Sequence, residues 1–562
     1  MIADDEEDLM PMKLRAVPLL AAASLAAFVV AGYAQAPSEP YDVLIRNGRI
    51  VDGTGNPWFS GDVGIRGNRI AAVERLGNAS ARRVIDASGL VVAPGFIDLH
   101  THSDLTLLQD GTAQSKVRQG VTLDVTGEGT SVAPRDGLEP ESGEGGVRQD
   151  WTNFTGYFER LKSRGISMNL VAYVSYQTVR RVAMGYTSRT ATPAEIERMK
   201  QLVARSMEEG AWGLVARFDS GGPAHPEEIV ELTKVVGARG GTFTSHIGSE
   251  GYNQDRELDF IIRLARETRV PVHVFHFKIR ARENWPRMQH FIDRVASARE
   301  EGLDITVNQY PYTAMNHGWN DFFPLWAKEG GPAAFARRLQ DPAVRERIKT
   351  DRDFREWAYE HGGWDGIVYA RASFPDHRKY EGMRLAEIAK LRGDADPADT
   401  CVQLMAEAGG NIGGVFHTMS EENVRLVMRQ PWVAIASDAG AMNVQASGFP
   451  HPRAFGTAAR VLGYYVREHK VLTLEEAVRK MSSYPAQILG LQDRGQIRTG
   501  LVADLAIFDP ATVGDTATFE QPKSYASGVP YVLVSGQLVI DKGEHTGARP
   551  GAVLYGRAYQ AR

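Results

Sequence analysis

Residues 192–217 read "TPAEIERMKQLVARSMEEGAWGLVAR", and the period of the apolar residues changes within this one stretch. Thr192 stands where a helix N-cap belongs, Pro193 suits the first helical position, and Glu195 completes a capping box. Ile196, Met199, Leu202, Val203 and Met207 recur at helical spacing. Gly210 stops the helix, and the "AWGLVAR" that follows predicts a strand. The same order returns twice: "LDFIIRLARET" before "VPVHVFHFK", and "MQHFIDRVASAREEG" before "LDITVNQYPY". Strands alternating with helices predict a parallel sheet with right-handed crossovers, and over this length a (β/α)8 barrel.

The two ends of the chain follow a different rhythm. Residues 41–93 alternate short β-rich runs with turns, and Asn47-Gly48 and Gly67-Asn68 are hairpin signals. The C-terminal runs "LVADLAIFDP" and "YVLVSGQLVIDKGE" look alike. These segments predict a small β-sandwich built from residues 37–93 and 486–562, around a barrel spanning 94–485. Residues 315–400 interrupt the barrel with aromatic-rich sequence such as "NHGWNDFFPLWAKEGG". Such an insertion covers an active site or packs into a satellite core.

Composition bounds the partners. The 562 residues exceed what one compact core normally serves, and 24% charged with 43% hydrophobic residues is ordinary for a globular protein. Formal net charge is -5, so nothing here attracts nucleic acid. The single cysteine, Cys401, sits in an apolar helical setting and reads as a small core residue, which excludes disulfides and thiolate clusters. Residues 1–36 combine Lys13 and Arg15, an apolar run and small residues near Ala34 and Ala36, the anatomy of a secretory signal peptide. The acidic run before Met12 is foreign to such a peptide, so translation is expected to begin at Met12. The expectation is an exported protein, periplasmic or secreted, with no stable membrane association after cleavage. Its oligomeric state is open.

The chemistry lies at the strand ends, where barrels of this kind place catalytic residues. "PGFIDLHTHSDLTLL", residues 94–108, carries His100 and His102 on one face of a strand end. "GVTLDVTGEGTS" ends in Glu128 between glycines, "GGTFTSHIGSE" contains His246, "PVHVFHFK" contains His276, and "PWVAIASDAGA" contains Asp438. Each alone has a bland reading: a packed histidine, a helix cap. Together they form a set of imidazoles and carboxylates without thiolate, which suits zinc or a similar divalent ion, one or two of them.

With these motifs the chain resembles the amidohydrolase superfamily and, within it, the N-acyl-D-amino-acid deacylases (D-aminoacylases). "PGFIDLHTHSD", "VFHFK", "QYPYTA", "HTMSEENVRLVM", "SDAGA", "HPRAFGTAARVLGYYVRE" and "GQIRTGLVADLAIFDP" carry the resemblance from residue 41 to 562. It implies a metal-dependent barrel with a β-sandwich made from both termini. It also implies that His100, His102 and Asp438 line one Zn2+ position while His246 and His276 hold another. Where the family commonly has a cysteine in a GNCG-like turn, this chain has "GEG", which makes Glu128 the bridge. The implied substrate is a small N-acyl amino acid. Asp438 would move the proton from the attacking water to the leaving amine. Lys278, Tyr310, Tyr312 and Arg453 would bind the substrate's carboxylate, Arg453 bidentately. His417 stays unassigned. The rival readings are a cyclic-amide hydrolase of the hydantoinase or dihydroorotase kind, or a dipeptidase, on the same barrel. Those usually bridge their metals with a carboxylated lysine, and the Glu128 strand end offers none. A non-catalytic exported binding protein is the third reading, and no missing ligand favours it.

Overall fold

The computed structural model describes residues 40–142, 146–218, 224–372 and 374–561. The proposed signal segment therefore lies outside the described residues. The stretch that opens the sequence reading folds as its pattern dictates. The helix runs Pro193–Glu208, the Thr192 hydroxyl accepts the Glu195 N–H, and the Glu195 carboxylate accepts the Thr192 N–H at 2.8 Å. Met199, Leu202, Val203 and Met207 are buried, while Ile196 is half-buried at the edge of the stripe. Gly210 leaves the helix at φ +115, a conformation that requires glycine.

Eight parallel strands form the barrel: β1 (Phe96–Asp98), β2 (Val121–Thr126), β3 (Asn169–Ala172 continued by Val174–Ser175), β4 (Gly213–Arg217), β5 (Thr242–His246), β6 (Val272–Val274), β7 (Ile305–Gln309) and β8 (Val433–Ile435). Each pairs in parallel with the next from β1 to β8. The ring closes through the loop after β8. The Asp438 N–H donates to the His100 carbonyl at 2.8 Å, and the Ser437 N–H donates to Asp98 Oδ1 at 2.9 Å. Helices such as Pro226–Gly237 and Gln254–Thr268 return the chain between strands and bury their apolar faces against them.

The two terminal segments meet in one nine-stranded sheet, joined where Leu505–Phe508 lies antiparallel to Val91–Pro94. Its own core holds Ile45, Ile50, Val63, Ile65, Leu505 and Ile507, all fully buried. The insertion between β7 and β8 contains a three-stranded antiparallel sheet, Met315–Gly318 and Ile367–Ala372 flanking Ile412–Phe416. It thus extends past the expected boundary at residue 400. Trp319, Phe322, Phe323 and Phe354 pack together beneath it. The insertion also reaches the barrel mouth, where Asp321 faces Arg217 and Glu360 pairs with Arg280. Cys401 is buried in the helix Pro397–Glu407, and burial pushes its thiol up, as a core residue requires.

Candidate metal centre

The ends of β1, β2, β5, β6 and β8 converge as the barrel predicts. One ligand atom each from His100, His102, Glu128 and Asp438 lies within 4.8 Å of the others, and Glu128, His246 and His276 form a second such group. His100 Nε2 is 2.8 Å from Glu128 Oε2, and His102 Nε2 is 3.0 Å from Asp438 Oδ1. The crossed distances, 3.3 Å from His102 to Glu128 and 3.5 Å from His100 to Asp438, show that all four donors face one point. His276 and Asp438 both hold positive φ, +31 and +53, so two of the donors sit on strained backbone.

The electrostatics of this point favour a cation. Burial opposes charge on His102. Its hydrogen bond to Asp438 and the charges of Glu128, Asp438 and Asp104 outweigh that and raise its pKa to about 9. Burial would also push the Glu128 and Asp438 carboxyls up. Arg453, His100, His102 and His276 hold Asp438 well below the usual carboxylate range, and His100, Arg217 and His246 do the same for Glu128. Two ionised carboxylates thus draw a proton onto an imidazole that would otherwise stay neutral. A divalent ion satisfies the same field without that proton, and the nitrogen and oxygen donors suit zinc.

A surrounding layer escaped the sequence reading. Glu250, four residues beyond His246, lies 2.9 Å from His276 Nδ1 and accepts a short hydrogen bond from Lys278 Nζ. It fixes the His276 ring so that Nε2 is left for an ion. Its place in "SHIGSE" was visible, but nothing local marks it as a partner of a residue 26 positions later. Arg217, at the end of β4, places Nε 3.6 Å from Glu128 Oε1. Asp98, the aspartate before "LHTH", accepts from Lys116 Nζ at 2.8 Å and from the Ser437 N–H, tying β1 to the Asp438 loop.

The proposed substrate residues divide. Arg453 is buried, with Nη1 2.7 Å from Asp438 Oδ2, and its Nε finds no hydrogen-bond partner among the described residues. Its guanidinium lies 4.6 Å from the Tyr310 ring centre, and the Lys278 ammonium lies 5.5 Å from the same ring. Lys278, Tyr310 and Arg453 therefore form one cluster beside Asp438. Tyr312 stands in a neighbouring layer against His451, Phe519 and Arg460. His417 packs on Phe519 and belongs to neither donor group.

The sequence and the fold match known proteins. The sequence model of the family described as "Amidohydrolase family" matches residues 83–322 and 360–540. A D-aminoacylase of Alcaligenes xylosoxydans xylosoxydans is 33% identical over 528 residues, which cover 92% of this chain and 99% of that protein. The crystal structure of an N-acyl-D-glutamate deacylase from Bordetella bronchiseptica, complexed with zinc and a phosphonate inhibitor, superimposes with a TM-score of 0.78 at 30% identity. That match covers 92% of this chain and 100% of that one. A D-aminoacylase structure described for its binuclear metal centre gives the same TM-score at 32% identity, with the same coverage. The chain belongs to the amidohydrolase family.

Proposed function

We propose that the protein is a zinc-dependent hydrolase that cleaves the amide bond of N-acyl-D-amino acids, releasing a carboxylate and the free D-amino acid. The observation that carries this is the meeting of four imidazoles, Glu128 and Asp438 at one end of the barrel, beside a buried arginine with an unspent donor. The similarity to D-aminoacylases supports the substrate class and its chirality.

A divalent ion bound among these donors supplies a Lewis acid for the amide carbonyl and makes water nucleophilic near neutral pH. The chain's residues do the rest. Asp438 directs Oδ1 at the imidazoles and Oδ2 at Arg453, so it is held ionised and ready to accept a proton. It takes that proton from the attacking water and delivers it to the leaving nitrogen. Arg453 and Lys278, both against the Tyr310 ring, bind the substrate's free carboxylate.

The test is a screen of the zinc-loaded protein against N-acetyl-D- and N-acetyl-L-amino acids, dipeptides and hydantoins, detecting released amine. Turnover confined to N-acyl-D-amino acids is expected. Preference for a cyclic amide or a dipeptide overturns the reading. We infer export from residues 1–36; a mature N-terminus at residues 35–37, read by mass spectrometry, is expected. An intact N-terminus in the cytoplasmic fraction refutes it.

A further inference from the structure

Three buried polar residues, His273, Thr306 and Asn308, stand behind His276 and take no part in the chemistry above. Thr306 and Asn308 are two residues apart on β7 and so share a face. His273 of β6 stands opposite Thr306 in the parallel register. His273 lies three residues before His276 in "VHVFHFK", and it belongs to neither group of ligand atoms.

Their hydrogen bonds have one consistent direction. Asn308 Oδ1 accepts the His276 N–H at 2.7 Å, which leaves Nδ2 facing His273 Nε2 at 2.9 Å. An amide N–H needs an acceptor there, so Nε2 is unprotonated and the ring carries its hydrogen on Nδ1. That hydrogen goes to Thr306 Oγ1 at 2.8 Å, and the Thr306 hydroxyl donates onward to the Val272 carbonyl at 3.4 Å. Burial, helped by the charge of His100, pushes the His273 pKa down to about 3, in keeping with a neutral ring. The last link of the chain is the backbone of a candidate ligand. The Phe275 N–H still bonds the Ser245 carbonyl of β5, but His276 turns to φ +31. Its N–H is taken by the Asn308 side chain, and the Phe277 N–H by the Asn308 carbonyl. With the Asn308 amide reversed, Nδ2 would meet the His276 N–H donor to donor, and the peptide would have to turn away.

We propose that His273 is a positioning residue: by accepting from Asn308 it fixes the direction of that amide, and through it the His276 peptide and the aim of the His276 imidazole. Glu250 holds the same ring from its far side, at Nδ1. His276 is thus set at two points, one on its ring and one on its backbone. The backbone point has no sheet partner to replace it, so the orientation of one buried amide decides it.

The inference rests on the reading that His276 serves the hydrolase centre, and the experiment separates the two. His273→Gln puts an amide oxygen where Nε2 lies, so it keeps the bond to Asn308 and loses the one to Thr306. His273→Asn reaches only the place of Nδ1 and does the reverse, and His273→Leu loses both. Each full-length variant is checked for folding by near-ultraviolet circular dichroism. Hydrogen exchange of the peptide covering residues 272–278 is then measured by mass spectrometry on the metal-free protein, and kcat and KM on the zinc-loaded one. His273→Asn and His273→Leu are expected to exchange faster in this peptide and to lose kcat by roughly 10- to 100-fold, with little change in KM. His273→Gln is expected to restore slow exchange and most of kcat. Wild-type exchange and kcat in His273→Asn or His273→Leu overturn the proposal, as does a His273→Gln protein impaired as badly as His273→Leu. Failure of all three variants to fold shows that His273 serves the fold alone, and overturns it too. A wild type without deacylase activity removes the substrate reading, and the exchange pattern then decides the role of His273 by itself.

Discussion

Asp438 and Arg453 are 2.7 Å apart, and that distance changes what their substitution reports. Asp438→Asn keeps the shape and loses the proton acceptor, so kcat should fall by roughly 100- to 10,000-fold with a smaller change in KM. Arg453 read from sequence alone is a carboxylate clamp, and its loss should raise KM. The structure adds a second consequence. Burial alone pushes the Asp438 carboxyl up, and Arg453 is the largest influence opposing it. Arg453→Met should therefore raise the Asp438 pKa and move the acid limb of the pH–kcat profile to higher pH. On a substrate whose carboxylate has been amidated, the KM effect should shrink while the shifted limb persists. A profile unmoved in Arg453→Met would show that the ion pair does not set the charge of Asp438.

The elements depend on close backbone approaches as much as on apolar stripes. Gly213 opens β4 opposite Thr242 of β5, where an added Cβ would overlap the Thr242 carbonyl oxygen and crowd the Tyr173 ring. Gly213→Ala must push β4 away from β5 and carry Arg217 and His246 with it, because both close the same pair of strands. The expected cost is about 1–3 kcal/mol of overpacking, read as a lower denaturant midpoint. The periodicity of "TPAEIERMKQLVARSMEEG" was readable because its capping and its stripe are local. The strict need for glycine at 213 was not readable, because the atom that imposes it lies 29 residues away.

At the scale of the molecule, the C-terminal tail completes the barrel wall. The paired residues of β3 and β4 begin at Val174 opposite Leu214, one earlier hydrogen bond runs from the Trp212 N–H to the Ala172 carbonyl, and the tail fills the wedge below. The Leu170 N–H donates to the Ala552 carbonyl, the Leu554 N–H donates to the Leu170 carbonyl, and Trp212 Nε1 donates to the Leu554 carbonyl at 2.7 Å. Truncation after His545 would orphan these buried groups, at about 1–3 kcal/mol for each left unsatisfied. It would also uncover Phe158, against which Tyr555 packs. A substantially lower melting temperature is expected for the truncated protein. An unchanged melting curve would mean that the tail is dispensable and the wedge closes without it.

The barrel, the union of both termini and the six metal-type residues were legible in the sequence. Each rests on a local signal: a change of period, a turn dipeptide, or a ligand at a strand end. His100, His102, Glu128, His246, His276 and Asp438 needed only the rule that parallel strands deliver their C-terminal ends to one face. The surrounding layer had no such signal. Glu250 behind His276, Arg217 behind Glu128, and Arg453 against Asp438 are contacts between different strands and loops. Their geometry follows from how eight strands close into a ring, and so do the placement of Tyr312 one layer away and the role of the tail. Short-range periodicity determines which residues reach the mouth of the barrel. Only the closed ring decides which charges face one another there, because Coulomb interactions and hydrogen bonds depend on distances through space that chain spacing does not encode.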